Sequence, residues 1–155
     1  LTYWKMKQSL HKTSLKVPTI VQKPGMTEEE RGTFVATFDE KNNESLIGFA
    51  VMGRIFSEGI DLVGNRLNGV IIVGVGLPQI GLERNIIKDY FNNIGKNGYD
   101  YAYVYPGLNK VLQAGGRLIR TEHDQGTIVL IDNRFLTKKY LQLLPSPWKD
   151  FKIIE

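Results

Sequence analysis

Cysteine is absent from this chain of 155 residues. That excludes disulfides, a thiol nucleophile and cysteine-held zinc or iron–sulfur centres within it, and it is compatible with a cytoplasmic setting. The only histidines, His11 and His123, are too far apart and too unsupported by neighbouring ligands to mark a metal site. No apolar run approaches the roughly 18 to 20 residues of a membrane helix. Gly69 to Leu77 falls far short of that, so no membrane partner is expected. The opening stretch lacks the apolar segment of a secretory signal, which makes the sequon Asn43-Glu44-Ser45 noise. Neither a G-x-x-x-x-G-K-[ST] phosphate loop nor an acidic box for magnesium occurs. Gly74-Val75-Gly76-Leu77-Pro78 begins like a dinucleotide loop, but no third glycine follows at the required spacing.

What remains is enough apolar residue for one sizeable core. With 42% hydrophobic content, the chain is expected to form a single domain over 1–155. It opens on Leu1 inside what reads as the worn end of an amphipathic helix, Leu1 to Leu15, so the chain is expected to begin inside that domain as a piece of a larger protein. Twenty Lys and Arg against 16 Asp and Glu give a net charge of +4, which suits a polyanion such as nucleic acid without requiring one.

Thr19 to Val21 reads as a short strand closed by the turn Lys23-Pro24-Gly25. Thr27 with Glu30 forms a capping-box pattern and predicts a helix to about Asp39, with Phe34, Val35 and Phe38 inward. The apolar runs Leu46 to Met52 and Asn68 to Val75 lack alternation, as parallel strands covered on both faces do. Between them Gly53 to Asn65 forms a loop holding Ser57-Glu58-Gly59-Ile60-Asp61, where active loops of open α/β sheets sit. On spacing alone, Glu58 and Asp61 fit a functional loop and a pair of carboxylates capping a short helix equally well. Gly81 to Ile94 predicts a helix whose Leu82, Ile86, Ile87, Tyr90, Phe91 and Ile94 face the core. Tyr99, Tyr101, Tyr103 and Tyr105 alternate as in a packed strand, or as a platform for stacking nucleic-acid bases. Thr127 to Ile131 predicts a third buried strand, and Thr137 to Leu144 a short helix stopped by Pro145-Ser146-Pro147.

The stretch with the pattern of a working face is Gly107 to Gly126. As a helix, it gathers Leu108, Val111, Leu112, Leu118 and Ile119 on one side and Gln113, Arg117 and Arg120 on the other. A solvated charged face is the alternative. The Gly115-Gly116 pair argues against it, because each glycine costs about 1 kcal/mol of helix stability and clears space for a close approach.

Gln113-Ala-Gly-Gly-Arg117-Leu-Ile-Arg120 follows the pattern Q-x-x-G-R-x-x-R and resembles the last motif of superfamily 2 helicases. With the apolar run Thr127 to Ile131 and Asp132-Asn133-Arg134-Phe135 after it, and Phe56-Ser57-Glu58-Gly59-Ile60-Asp61 before it, the chain resembles the DinG and XPD family of DNA helicases from about Val21 to Trp148. The resemblance implies an α/β, three-layer RecA-like domain of the P-loop NTPase type, with a mostly parallel central sheet, truncated at its N-terminal side. It implies the second motor domain, closing over ATP and Mg2+ held mainly by the first motor domain of the same parent chain. Arg117 and Arg120 would then be arginine fingers on the γ-phosphate, and Gln113 would orient the water or the phosphate nearby. Glu58, Gly59, Asp61 and Gly116 would bind nucleotide and couple it to DNA, with Ser57 on the nucleic acid. The family moves five-prime to three-prime along single-stranded DNA. Its iron–sulfur cluster, where present, belongs to the first motor domain. Without a phosphate loop, this piece alone is expected to be inactive. A non-catalytic nucleic-acid-binding or interaction module of helicase ancestry is the rival reading, and it would not need both arginines with Gln113 in register.

Overall fold

The computed structural model describes residues 17–39, 44–52, 67–118 and 125–154. The expected helix over Leu1 to Leu15 and the loop Gly53 to Asn65 lie outside them. The described elements are strands β1 (Thr19–Val21), β2 (Ile47–Phe49), β3 (Gly69–Val73) and β4 (Thr127–Ile131), with helices α1 (Glu28–Ala36), α2 (Leu82–Asn93), α3 (Tyr105–Gly115) and α4 (Lys138–Leu143). β1 pairs with β2 in parallel, Thr19 opposite Ile47 and Val21 opposite Phe49. β3 pairs with β4. The Thr127 amide donates to the Asn68 carbonyl at 3.1 Å and the Gly74 amide to the Ile131 carbonyl at 3.0 Å, so the bonds advance together along both strands, as in a parallel ladder. Parallel neighbours need a crossover, and helices supply it in each pair: α1 between β1 and β2, α2 and α3 between β3 and β4.

Contacts group the chain into two compact units, Leu1–Val70 with Arg117–Thr127, and Ile71–Gly116 with Ile128–Glu155. In the first unit the capping box forms as the pattern predicts. The Glu30 amide donates to Thr27 Oγ1 at 3.2 Å, and the Thr27 amide donates to the Glu30 carboxylate at 2.7 Å. The helix stops at Ala36, short of Asp39, because the Thr37 hydroxyl turns back to the Phe34 carbonyl and the Phe38 amide bonds Val35. Phe34 is buried, and Phe38 still meets it, the rings tilted at 60° with centroids 5.8 Å apart. β2 is shorter than Leu46 to Met52, since Val51 donates its amide to the Gln22 side chain and leaves its own side chain exposed.

The second unit holds most of the described core: Ile72, Val75, Ala102, Tyr103, Val104, Leu108, Val111, Phe135, Tyr140 and Leu144. Val75 and Val111 are the largest fully buried side chains among the described residues, and each contributes roughly 1.5 to 3 kcal/mol. Gly76 has φ +66°, and a Cβ on Gly107 would sit 2.7 Å from the Val75 carbonyl oxygen. The Gly-Val-Gly run after β3 therefore lets its backbone lie directly on α3, a packing role that accounts for glycines with no dinucleotide fingerprint.

Three expectations are corrected here. First, α2 forms as predicted, but none of its residues is fully buried: Leu82, Ile86, Tyr90 and Ile94, four apart, make an exposed apolar row. Second, the tyrosine run is helical, a π-turn over Asp100–Val104 leading straight into α3. Tyr99 stacks on Tyr103 and Tyr101 meets Tyr105, pairs four residues apart that a strand would not bring together. Tyr101 also stacks on Phe91 at 3.8 Å, so packing occupies this ring. Third, β4 is half-buried rather than buried, with Ile131 exposed, and Ile71 on β3 is likewise exposed.

Candidate functional site

Among the described residues, the helix of the motif stretch ends at Gly115 and a turn follows over 116–118. Pro106 sits in the first turn of α3, just past the junction with the π-turn. Gly115 ends the helix and Gly116 caps it at φ −66°, its amide donating to the Leu112 carbonyl at 2.8 Å. Two glycines in succession remove the propensity that would carry the helix onward. Gln113 is exposed in the last turn, Gly116 is exposed at the cap, and Arg117 is half-buried in the turn that follows. Arg117 belongs to the first compact unit, Gln113 and Gly116 to the second. Ser57, Glu58, Gly59, Asp61 and Arg120 lie outside the described residues, as does Ile119. The expectation of one helical face is corrected for Arg117 alone: it lies beyond the helix that ends at Gly115.

The space cleared by the glycine pair is partly filled by this chain itself. A Cβ on Gly115 would overlap the Trp148 indole, 2.6 Å from Cζ2 and closer still to Cη2. Gly116 shows no such neighbour, its nearest contact being the Leu112 carbonyl oxygen at 3.0 Å. Chemically, the end of α3 is a C-terminus, so its backbone presents carbonyl oxygens and the negative pole of the helix dipole. An anion met here would have to be held by arginine side chains rather than by backbone N–H groups.

Sequence reasoning missed a second constellation, in the second unit. Asp100 is the buried charged residue of the described chain, at 8% exposure. Its carboxylate accepts from Lys139 Nζ at 2.6 Å. Asp132, which caps the 3-10 turn Asn133–Leu136, accepts from Arg134 Nε at 2.9 Å and Nη2 at 2.7 Å. Hydrogen bonding from Arg134 holds the Asp132 carboxyl below the ordinary range against the opposing effect of burial. The bond to Asp100 likewise raises Lys139, while burial raises Tyr140. Asp132 and Arg134 were visible as motif residues, whereas nothing in the spacing of Asp100 and Lys139 announces their pairing.

Elsewhere, a surface hollow of about 400 Å³ beside α1 is lined by Ile20, Met26, Glu29, Glu30, Thr33 and Phe34, a wall with carboxylates and no cation. Among the described residues no group of His, Asp or Glu side chains is placed to hold a metal ion, and no helix is long and apolar enough to cross a membrane.

Known proteins match most of the chain. The family described as helicase C-terminal domain matches residues 2–151. ATP-dependent DNA helicase DinG of Photobacterium profundum is 35% identical over 99 residues, 63% of this chain and 14% of the relative. A probable ATP-dependent helicase of Methanocaldococcus jannaschii is 31% identical over 143 residues, 86% of this chain and 21% of the relative. A solved structure of XPD in its apo form superposes with a TM-score of 0.63 at 22% identity, covering 91% of this chain and 28% of that one. The fold is thus the RecA-like α/β fold, and the chain spans about a fifth or less of those two relatives' length.

Proposed function

Because the chain belongs to the helicase C-terminal domain family, in its DinG and XPD branch, we propose that it is the second motor domain of an ATP-dependent DNA helicase that moves five-prime to three-prime on single-stranded DNA. In this reading residues 1–155 are one domain, closing on ATP held by the first motor domain of the same parent chain. Arg117 and Arg120 reach the γ-phosphate, Gln113 orients the attacking water or the phosphate, and Gly116 leaves room for the nucleotide. Glu58, Gly59 and Asp61 couple nucleotide to DNA, and Ser57 meets the DNA backbone.

The observation that carries this reading is the family match across residues 2–151, which contains both motifs in order. The local chemistry supports it. Phosphoryl transfer spreads negative charge over the transferred group, and an arginine aimed there is worth roughly a thousandfold or more in rate. At the end of α3 only side chains can supply that charge, since the backbone there presents carbonyls. Arg117 and Gln113 offer N–H donors that fit phosphate oxygens, and neither is a carboxylate that would hold Mg2+. The metal is accordingly assigned to the first motor domain.

The test is made in the full-length parent protein. Arg117→Ala and Arg120→Ala should each lower DNA-stimulated ATP hydrolysis by on the order of a hundredfold or more, with affinity for single-stranded DNA changed only a fewfold. Normal hydrolysis with lost DNA binding would move that arginine to the nucleic-acid track. The chain on its own should hydrolyse ATP no faster than background, and robust turnover would sink the two-domain reading.

A further inference from the structure

Two ion pairs in the second unit are built alike. The carboxylates lie inside, with side chains 14% exposed for Asp132 and 11% for Asp100, while their cations lie at the rim, Arg134 and Lys139 both 47% exposed. Each acid fixes its cation without using it up. The Asp132 pair engages two of the five guanidinium N–H donors of Arg134, and the Asp100 bond engages one of the three ammonium donors of Lys139. Lys138 is exposed next to Lys139.

An exposed aromatic residue adjoins one of these pairs in the chain. Tyr99 precedes Asp100 in the chain and lies within electrostatic range of both Arg134 and Tyr140. Its ring is stacked on Tyr103 at 5.1 Å and 29°, and Tyr103 is itself buried and held through its hydroxyl by Asn85 at 3.3 Å. Tyr99 nevertheless remains 49% exposed. The support of a fixed ring behind it preorganises Tyr99, so a flat ligand stacking there need not first immobilise it. An exposed aromatic ring together with half-exposed cations that keep donors to spare matches the chemistry of single-stranded nucleic acid, in which bases stack and phosphates pair.

We propose that Tyr99, Arg134 and Lys139 form a contact for single-stranded DNA, with a base stacked on Tyr99 and neighbouring phosphates taken by Arg134 and Lys139. The proposal rests on the helicase reading and adds to it residues that neither the Arg117 and Arg120 motif nor the Ser57 loop includes. Fixed, preoriented cations favour a polyanion threading past them over a flexible acidic peptide, for which the exposed ring would supply no matching flat partner.

The experiment uses the full-length protein and a fluorescein-labelled oligodeoxythymidylate, with anisotropy followed over a range of salt. Tyr99→Ala should weaken binding about tenfold, Tyr99→Trp should retain it, and Arg134→Ala should reduce the salt slope by about one. Each variant's melting is recorded beside its binding. As a check that needs no variant, the oligonucleotide is resynthesised with 5-bromodeoxyuridine, irradiated on the wild-type protein, and the crosslinked residue is found by mass spectrometry; Tyr99 is expected. A folded Tyr99→Ala protein with unchanged affinity, or crosslinks confined to residues away from Tyr99, would overturn the proposal while leaving the helicase reading standing. Poly-glutamate displacing the oligonucleotide as well as unlabelled DNA does would also overturn it. Failure of the wild-type protein to bind the oligonucleotide at all would instead count against the helicase reading.

Discussion

Replacing Gly115 by alanine sets two effects against each other. A helix interior gains about 1 kcal/mol when glycine becomes alanine, and somewhat less at the final helical position. Against that gain stands Trp148, whose Cζ2 lies 2.6 Å from where the new methyl would be. Carbon atoms rest at about 3.5 to 4.0 Å, so the indole would have to retreat by about 1 Å or more. It sits in the 3-10 turn Ser146–Trp148, whose preceding Pro145 and internal Pro147 restrict the backbone. Overpacking of this kind costs about 1 to 3 kcal/mol, and the net is a destabilisation of roughly 1 to 2 kcal/mol. For a chain of this size that is a fall of about 2 to 8 °C in Tm, read by circular dichroism. Gly116→Ala is the control. Gly116 already has φ −66°, a conformation alanine adopts freely, and its methyl would meet only the Leu112 carbonyl oxygen at 3.0 Å. Its Tm should stay within about 2 °C of wild type, within the usual spread of harmless substitutions. If Gly116→Ala nevertheless abolishes ATP hydrolysis in the parent protein, the loss belongs to the nucleotide and not to folding. Combining Gly115→Ala with Trp148→Phe should recover part of the lost stability, because the smaller ring makes room. A Gly115→Ala protein as stable as wild type would refute the argument that Trp148 is what needs this glycine.

Thr27→Ala removes the side-chain acceptor of the capping box and should cost about 1 kcal/mol in urea denaturation, whereas unchanged stability would mean that α1 does not depend on its cap. Asp132 is held below the ordinary carboxyl range by Arg134, so its contribution is present above pH of about 4 and disappears as pH falls through its lowered folded value. The stability gap between wild type and Asp132→Asn, no more than about 1 kcal/mol because Arg134 is half-exposed, should therefore close only on the acid side; a gap constant from pH 7 to pH 2 would contradict this. Lys139 is raised by Asp100, so the contribution from its titration is fully present below pH of about 10.4 and is lost as pH rises through the raised value. In the parent enzyme, Asp61→Ala should uncouple ATP use from strand separation with little change in melting, and the reverse pattern would make Asp61 a structural cap.

Features governed by neighbours along the chain were legible in the residues. Thr27 and Glu30 bond each other because they are three apart at a helix start, and β1 and β4 occupy the predicted Thr19–Val21 and Thr127–Ile131. The short helix before Pro145 also falls within its predicted Thr137 to Leu144 span. The helicase motifs were legible too, since they depend on residue type and order, and the match over residues 2–151 bears out the family they resemble. What the residues alone could not decide was which surfaces meet. The apolar period of α2 was read correctly, but a period shows where a stripe lies and not whether anything covers it, and Leu82, Ile86, Tyr90 and Ile94 are open. Alternating tyrosines satisfy a strand's period of two, yet Tyr101 settles on Phe91 and Tyr99 on Tyr103 in a helix, because ring packing outweighed the β preference of tyrosine. The glycine pair was recognised as unusual, but only the chain's return at Trp148 assigns Gly115 to packing and leaves Gly116 without that reason. Asp100 and Lys139 are the extreme case: 39 residues separate them, no local rule relates them, and the fold alone brings a buried carboxylate to its ammonium.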